Sequence, residues 1–307
     1  MAEISVIIPA YNAEKTIVDS VRSALDQTFT DIEVIVSDDG SVDDTLSLLE
    51  EIKDSRLKVI SSLNSGAAAA RNRGIHNSKG EFIAFLDADD LWLKDKLELQ
   101  LNVLKSNPLA STVYCWVDTF DDKSKNPRAT SRTSVSGDIY INLLKNCFIV
   151  SGSNILVRKE ALESIGLWDE NLEASQDYDL YLRLAEKYEF VNVPQVLVWY
   201  RMSCQSMSTD FKRLEKTSLY VRKRALSKLP AEIQREIESD VIGGYYKSTI
   251  WRYLELPAHP SKGLLALKYL IQILKFDHQF IFHHTKLTLT IIIKSTLFMF
   301  GLSLDRD

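Results

Sequence analysis

The feature that most limits what this chain can fold into is a rhythm in its first 110 residues. Short runs rich in Ile and Val occur at Ile4–Ile8, Glu33–Val36, Leu57–Ile60 and Phe82–Leu86. Between them the apolar residues fall at helical spacing: Ile17, Val21, Ala24 and Leu25, then Thr45, Leu48, Leu49 and Ile52. Strand and helix in turn imply a parallel sheet with helices on its faces, joined by right-handed crossovers. Ser41 with Asp44 three residues on reads as a capping-box-like start of the second helix. The opening MAEISVIIPAYN has no basic stretch followed by a long apolar one, so it reads as the first strand rather than a leader.

Parallel strands all end at one edge, and ligands bind in the crevice outside those ends. Here the strand ends are followed by Pro9-Ala10-Tyr11-Asn12, Asp38-Asp39-Gly40-Ser41, Asn64-Ser65-Gly66 and Asp87-Ala88-Asp89-Asp90. Carboxylates, an aromatic ring and amides are thereby gathered on one edge. With 307 residues, 45% of them hydrophobic, the chain can bury a sizeable core. A formal net charge of -5 speaks against general nucleic-acid binding, which leaves a basic footprint. Cys115, Cys147 and Cys204 are an odd count without CxxC spacing, which fits a reducing compartment rather than a zinc ribbon or disulfide scaffold.

From about Ser111 the pattern loosens, and the polar stretch Asp118–Ser136 reads as a loop or flap. Order returns with Ser151–Val157, a helix near Lys159–Ile165, a helix from about Asp177 to Lys187 and a strand-like Phe190–Tyr200. Beyond Asp210 the chain reads as helical. The expected organisation is a catalytic domain over 1–209, with its nucleotide-binding half at about 1–110 and its acceptor half at 111–209, then a helical region over 210–307.

Four segments carry candidate chemistry. A diphosphate leaving group needs its charge neutralised, by a glycine-rich loop or by a divalent cation. The chain has neither GxGxxG nor GxxxxGK[ST], so Asp87-Ala88-Asp89 after a buried strand points to Mg²⁺ or Mn²⁺, which prefer oxygen ligands. Alone, such a motif is usually a solvated loop or a cap leading into a helix over Leu91–Leu104; the preceding apolar run and the convergent loops tip the balance. A carboxylate in Asp38-Asp39-Gly40-Ser41 can accept a pyrimidine N–H while Tyr11 stacks on the base; a turn with a helix cap explains the segment equally well. The small residues Ala67–Ala70 let a helix approach closely, and Arg71 and Arg73 offer forked donors, with Arg73 the better candidate for an ordinary solvated arginine. In Ser175-Gln176-Asp177-Tyr178-Asp179 a positioned carboxylate is a natural base for a hydroxyl, although helix-start acids favoured by the dipole fit the spacing better.

Taken together these stretches resemble family 2 glycosyltransferases of the GT-A fold. The resemblance rests on Ser5-Val6-Ile7-Ile8-Pro9-Ala10-Tyr11-Asn12, Asp38-Asp39-Gly40-Ser41 with Asp43 and Thr45, Ala70-Arg71-Asn72-Arg73-Gly74-Ile75, Gly80 through Asp90, and Gly166-Leu167-Trp168-Asp169-Glu170 leading to Gln176-Asp177-Tyr178-Asp179-Leu180. It spans roughly residues 3–202 and implies an α/β fold with a Rossmann-like, mostly parallel sheet and a helical C-terminal extension. It further implies nucleotide-sugar contacts at Pro9, Tyr11, Asp39, Arg71 and Asp87, with Arg71 supporting the base contacts and Asp87 at the ribose. Asp89 would bind Mn²⁺ or Mg²⁺, and Asp177 would be the general base of an inverting transfer. Two departures stand out. Gln176 occupies a position where the family often has an acid, and Tyr200-Arg201 is followed by Met202, Ser203, Cys204 and Gln205 with no histidine. The Gln-x-x-Arg-Trp sequence that accompanies processive synthesis is absent, so one sugar per encounter is expected.

Residues 261–294 hold Lys262, Lys268, Lys275, Lys286 and Lys294 against Asp277 alone, and Leu287–Leu304 is largely apolar. A basic, apolar helix at a membrane interface fits this pattern, as does a helix pair packed on the catalytic domain. Membrane attachment would suit a lipid-linked acceptor such as an undecaprenyl diphosphate sugar. The expected partners are then a UDP-hexose and that acceptor, at the cytoplasmic face of a bacterial inner membrane; among such enzymes the sequence resembles those adding a hexose to N-acetylglucosamine in O-antigen and lipopolysaccharide assembly. A nucleotidyltransferase would need a glycine- and lysine-rich loop where Pro9–Glu14 stands, and a non-catalytic nucleotide-sugar-binding protein would bind donor without turnover.

Overall fold

A computed structural model describes residues 2–121, 127–130, 132–202, 211–255, 260–276, 280–300 and 302. They fall into two compact units, one of residues 1–143 and 147–218, the other of 144–146 and 219–307.

The first unit is built on a nine-stranded sheet in the order β3-β2-β1-β4-β8-β6-β9-β5, with β7 pairing β6. Its first half is the parallel part: β1 (Ile4–Ala10), β2 (Ile32–Asp38), β3 (Leu57–Ser61) and β4 (Phe82–Phe85) run the same way, with Ile4 opposite Ile32 and Phe82. Helices α1 (Ile17–Leu25), α2 (Thr45–Glu50) and α3 (Ala67–His76) are the crossovers. α1 buries Ile17, Val21, Ala24 and Leu25, the residues whose spacing announces it. β1 is buried on both faces through Val6, Ile7 and Ile8, as strands covered by helices on each side must be.

The second half of the sheet is mixed. β8 (Leu156–Arg158) is antiparallel to β4, β6 (Ala110–Phe120) antiparallel to β8, and β9 (Glu189–Arg201) parallel to β6. Helices α4 (Lys96–Ser106), α5 (Tyr140–Lys145), α6 (Lys159–Ile165) and α7 (Gln176–Ala185) complete the order.

Three sequence expectations need correction here. No helix runs unbroken over Leu91–Leu104: Leu91–Trp92 is a short strand, β5, opposite Trp199 and Val198, and α4 begins only at Lys96. The loosened pattern after Ser111 is in fact the eleven-residue β6. Both faces of that strand are covered, so even Ser111 and Thr112 are buried and the alternation that signals a strand is missing. The supposed flap begins inside the same strand, since Asp118 and Thr119 pair with β7 (Arg128–Ala129); residues 122–126 and 131 lie outside the described residues. Finally, Ser41 does not cap α2. Asp44 occupies the cap position without a side-chain bond, and Asp43 accepts the Thr45 N–H at 3.0 Å instead.

The second unit is helical: the later part of α8 (Phe211–Leu226), then α9 (Ala231–Glu238), a π-helical turn over Ser239–Gly243, α10 (Gly244–Glu255), α11 (Pro260–Phe276), α12 (Phe280–His283) and α13 (Thr285–Met299).

α3 lies so close to β1 that a Cβ on Gly74 would run into the Ile7 side chain. Gly74→Ala is therefore expected to cost about 1–3 kcal/mol by overpacking, against a helix-propensity gain of about 1 kcal/mol. A urea midpoint lower than wild type checks this.

Candidate active site

The site is assembled where β1, β2 and β4 end. The chain leaving β1 turns at Asn12, held in left-handed backbone at φ 49°. Asn12 donates its N–H to the Ser41 hydroxyl at 2.9 Å and accepts the Val42 N–H on its own amide oxygen at 2.9 Å. Ala13 N–H reaches Thr45 Oγ1 at 2.8 Å. These bonds lock the loop after β1 onto the loop after β2. Pro9 lies within β1 opposite Ser37, and Tyr11 beyond it is left 53% exposed, an aromatic face at the strand edge.

Asp38 and Asp39 have separate tasks. Asp38 turns back on its own loop and accepts the Ser61 hydroxyl at 2.7 Å. Asp39, only 3% exposed, takes the Gly66 N–H at 2.8 Å, the Ser65 N–H at 3.1 Å and Arg73 Nη2 at 2.9 Å. It thus caps α3, whose N-cap Gly66 sits at φ 95°, a conformation glycine adopts without strain. One expectation for the arginines needs correcting. Arg73 is not a solvated surface residue but the partner of Asp39, and Arg71 pairs elsewhere.

Arg71 is buried and donates through Nη2 to Asp87 Oδ1 at 2.6 Å. Its guanidinium lies over the Trp168 indole, 4.4 Å from the ring centroid, and Trp168 in turn meets Phe85 edge-on. Asn72 clamps the Trp168 backbone with two bonds of 3.0 Å. In the sequence Trp168 and Asn72 are only parts of motifs; their job becomes visible once α3 and the loop after α6 are side by side.

Asp90 is wholly buried. It accepts Arg201 N–H at 3.0 Å, the Ser151 hydroxyl at 2.9 Å and the Ser153 hydroxyl at 2.6 Å. Burial, with Asp87 and Asp89 nearby, pushes its carboxyl well above the usual range. Ser153 Oγ also accepts the Asp87 N–H at 2.9 Å, so one hydroxyl ties the turn at 152–154 to the acidic loop. Gly152 leaves room there: a Cβ would come within 3.3 Å of Asp87 Oδ2. Arg201 Nε donates to the Asp89 carbonyl at 2.7 Å. Beyond Met202, the residues Ser203, Cys204 and Gln205 lie outside the described ones.

The Asp89 carboxylate is half-buried and takes no hydrogen bond from another described residue. Desolvation, then the Asp87 charge, lifts its pKa to about 6. Among the described residues no group of three or more His, Cys, Asp or Glu side chains is placed to hold a metal. Asp87 and Asp89 offer carboxylate oxygens, the donor type that a hard divalent cation prefers.

Asp177, on the first turn of α7, is also half-buried. Desolvation raises its pKa, while Arg71 pulls it down and Asp87 pushes it up. The helix-start residue, acidic loop and α3 arginine thus share one electrostatic neighbourhood. α7 is held against the turn at 152–154 by Tyr181, whose hydroxyl donates to the Ser151 carbonyl at 2.8 Å. Asp179 points elsewhere and pairs with Arg183 at 2.8 Å, as an i, i+2 separation from Asp177 requires. Gln176 donates to the Leu172 carbonyl at 2.6 Å.

Beneath the turn at 152–154 lies Lys96, fully buried. Its amine contacts the Trp92 ring face at 4.0 Å and Gln100 Oε1 at 2.7 Å. Trp92 Nε1 and Gln100 Nε2 then donate to the carbonyls of Ser153 and Asn154. Desolvation lowers the Lys96 pKa to about 7. The unfolded chain binds more protons between about pH 7 and pH 10, so this residue makes stability rise with pH there. Lys96→Met is expected to remove that rise: the wild-type unfolding free energy should climb from pH 7 to pH 10 relative to the variant, measured by urea titration at each pH.

With this geometry in view, known proteins supply the context. The family description "Glycosyltransferase like family 2" matches residues 5–226. An uncharacterized glycosyltransferase of Rickettsia conorii is 35% identical over 209 residues, covering 66% of this chain and 33% of that protein. The chain spans about a third of the length of the first curated relatives it matches. WfgD of Escherichia coli, a UDP-Glc:alpha-D-GlcNAc-diphosphoundecaprenol beta-1,3-glucosyltransferase, is 34% identical over 69% of this chain and 83% of its own. The putative teichuronic acid biosynthesis glycosyltransferase TuaG of Bacillus subtilis is 32% identical over 71% of this chain and 86% of its own. Among solved structures, S. aureus TarS 1-349 in complex with UDP-GlcNAc superposes with a TM-score of 0.68 at 17% identity, covering 99% of this chain and 94% of that one. That likeness establishes the GT-A fold expected from the sequence.

Proposed function

Because the chain belongs to family 2 of the glycosyltransferases, we propose that it moves a hexose from a UDP-sugar onto a lipid-linked saccharide, with inversion and one transfer per encounter. The acceptor in this proposal is an undecaprenyl diphosphate sugar. Its finer form is β-glucosyl transfer to N-acetylglucosamine in O-antigen or other surface-polysaccharide assembly, supported by the glucosyltransferase activity for which WfgD is named and the 34% identity to it. A lipid-linked acceptor would set the enzyme to work in the cytoplasm, at the inner face of the inner membrane. The observation that carries the reading is the meeting of Asp87, Asp89, Arg71 and Asp177 at the edge where four parallel strands end.

In this mechanism Tyr11, following Pro9, stacks on the uracil, and Asp39, braced by Arg73, forms the rim beside it. Asp87, oriented by Arg71, meets the ribose. Mn²⁺ or Mg²⁺, when bound at Asp89, supplies positive charge to the diphosphate. Arg71 and Arg201 add fixed positive charge around the same carboxylates. Asp177 accepts the proton of the acceptor hydroxyl as that oxygen's lone pair attacks the anomeric carbon. The bond from the anomeric carbon to the diphosphate breaks, and its electron pair leaves with UDP. A carboxylate made more basic by burial suits this role.

Asp177→Asn is expected to bind UDP-sugar normally in calorimetry yet lose kcat by about 10²–10⁴-fold. Because Asp177 works deprotonated and its pKa is raised, kcat should fall on the acidic side at a pH above the ordinary aspartate value of about 4. Asp89→Ala should abolish Mn²⁺-dependent transfer, and chelator should do the same to the wild type. A screen of UDP-, GDP- and dTDP-sugars with Mn²⁺ against lipid-diphosphate acceptor analogues, with products resolved by mass and linkage, decides donor and acceptor. Full-speed transfer by Asp89→Ala in chelator would sink the metal role. Donor binding without turnover on any acceptor would favour a binding protein, and pyrophosphate release from a nucleoside triphosphate a nucleotidyltransferase.

A further inference from the structure

The helical unit carries a surface that the transfer chemistry does not use. α11 and α13 pack on each other so closely that a Cβ on Gly263 would collide with the Ser295 carbonyl. α13 turns Thr288, Ile291, Ser295 and Phe298 inward. What the two helices turn outward is unusual for a solvated face. Among the described side chains of α11 the exposed residues are Leu264, Lys268, Ile271 and Lys275, at steps of four, three and four, so leucine, lysine, isoleucine and lysine follow one another along one stripe. Leu264 is 64% and Ile271 58% exposed. On α13 the outward stripe holds Lys286, Leu289, Ile293 and Phe300 just past its end, with Ile292 beside it. Phe282 on α12 is exposed as well.

Charge narrows the choice of what covers this face. α11, α12 and α13 together contain five lysines and no Asp or Glu. A second copy docking through the same face would set lysines against lysines without a carboxylate in those helices to pair them. An anionic bilayer offers both halves of the complement: phosphates for the ammonium groups and an acyl boundary for the apolar side chains between them. No helix among the described residues is long and apolar enough to cross a membrane; α11, at 17 residues, is about 25 Å long and suited to lying in the interface plane.

We propose that the outward stripes of α11 and α13 dock this chain on the surface of an anionic membrane, with Leu264, Ile271, Leu289, Ile293 and Phe300 entering the interface and Lys268, Lys275 and Lys286 meeting lipid phosphates. This goes beyond the transferase reading and does not depend on it, since the face lies in the unit that does not hold the acidic loop.

Flotation of the full chain with vesicles of phosphatidylcholine, alone or mixed with phosphatidylglycerol, tests it. Wild type is expected to float with the anionic vesicles at low salt and to be released by high salt. Leu264→Glu with Ile271→Glu should weaken this partition at least roughly tenfold, and Lys268→Glu with Lys275→Glu should do so as well, through lost phosphate attraction. Thr296→Leu, which extends the apolar stripe at an exposed position of α13, should strengthen it. This gain keeps the test decisive if a double variant unfolds; far-UV circular dichroism and calorimetric UDP-sugar binding report the fold of each variant. The proposal is overturned if wild type stays unbound at low salt, or if well-folded double variants float as wild type does. Self-association lost in Leu264→Glu with Ile271→Glu, without vesicle binding, overturns it in favour of a second copy.

Discussion

The burial of the Asp90 carboxylate is the constraint on which the rest of the catalytic unit depends. A carboxyl group taken wholly out of water costs several kcal/mol unless it is fully hydrogen-bonded. Here the donors are the Ser151 and Ser153 hydroxyls and the Arg201 N–H, from segments far apart in the chain. Satisfying one buried group therefore joins the end of β4, the turn before β8 and the end of β9. Asp87 and Asp89 stand on that junction, and their geometry follows from it. Lys96 lies under the same turn, so two costly buried groups support one short acidic loop.

The arginines of α3 show how one helix can serve two ends of a site. Arg71 and Arg73 are two residues apart and face different ways. One is held on the Trp168 ring and orients Asp87; the other braces Asp39, which holds the start of the helix that carries it. The close approach of Gly74 to Ile7 brings both within reach of the strand ends. Loops after β1 and β2, laced through Asn12, Ser41, Thr45 and Asp43, leave Tyr11 as the exposed aromatic between them.

The helical unit follows another logic. Its helices bury small and apolar residues against each other and present apolar side chains interleaved with lysines outward. The catalytic unit confines its costly groups to the interior; the helical unit buries Tyr269, Ile250 and Phe298 yet leaves Leu264, Ile271, Leu289 and Phe300 in the open.

Much of this was legible in the residues alone. The alternation of strands and helices, the gathering of Tyr11, Asp39, Asp87 and Asp89 on one edge, and the core stripe of α1 follow from local periodicity, because parallel strands must end together. The motifs around Asp177 marked a helix start but not which acid faces the site. Other matters needed the tertiary structure. β6 was hidden because a strand covered on both faces loses its alternation, and β5 because two residues carry no period. The pairing of Arg73 with Asp39, the clamp of Asn72 and the support from Ser151, Ser153 and Lys96 all join residues tens of positions apart. Short-range pattern registers which side a residue faces; only the packed chain decides which distant group it meets there.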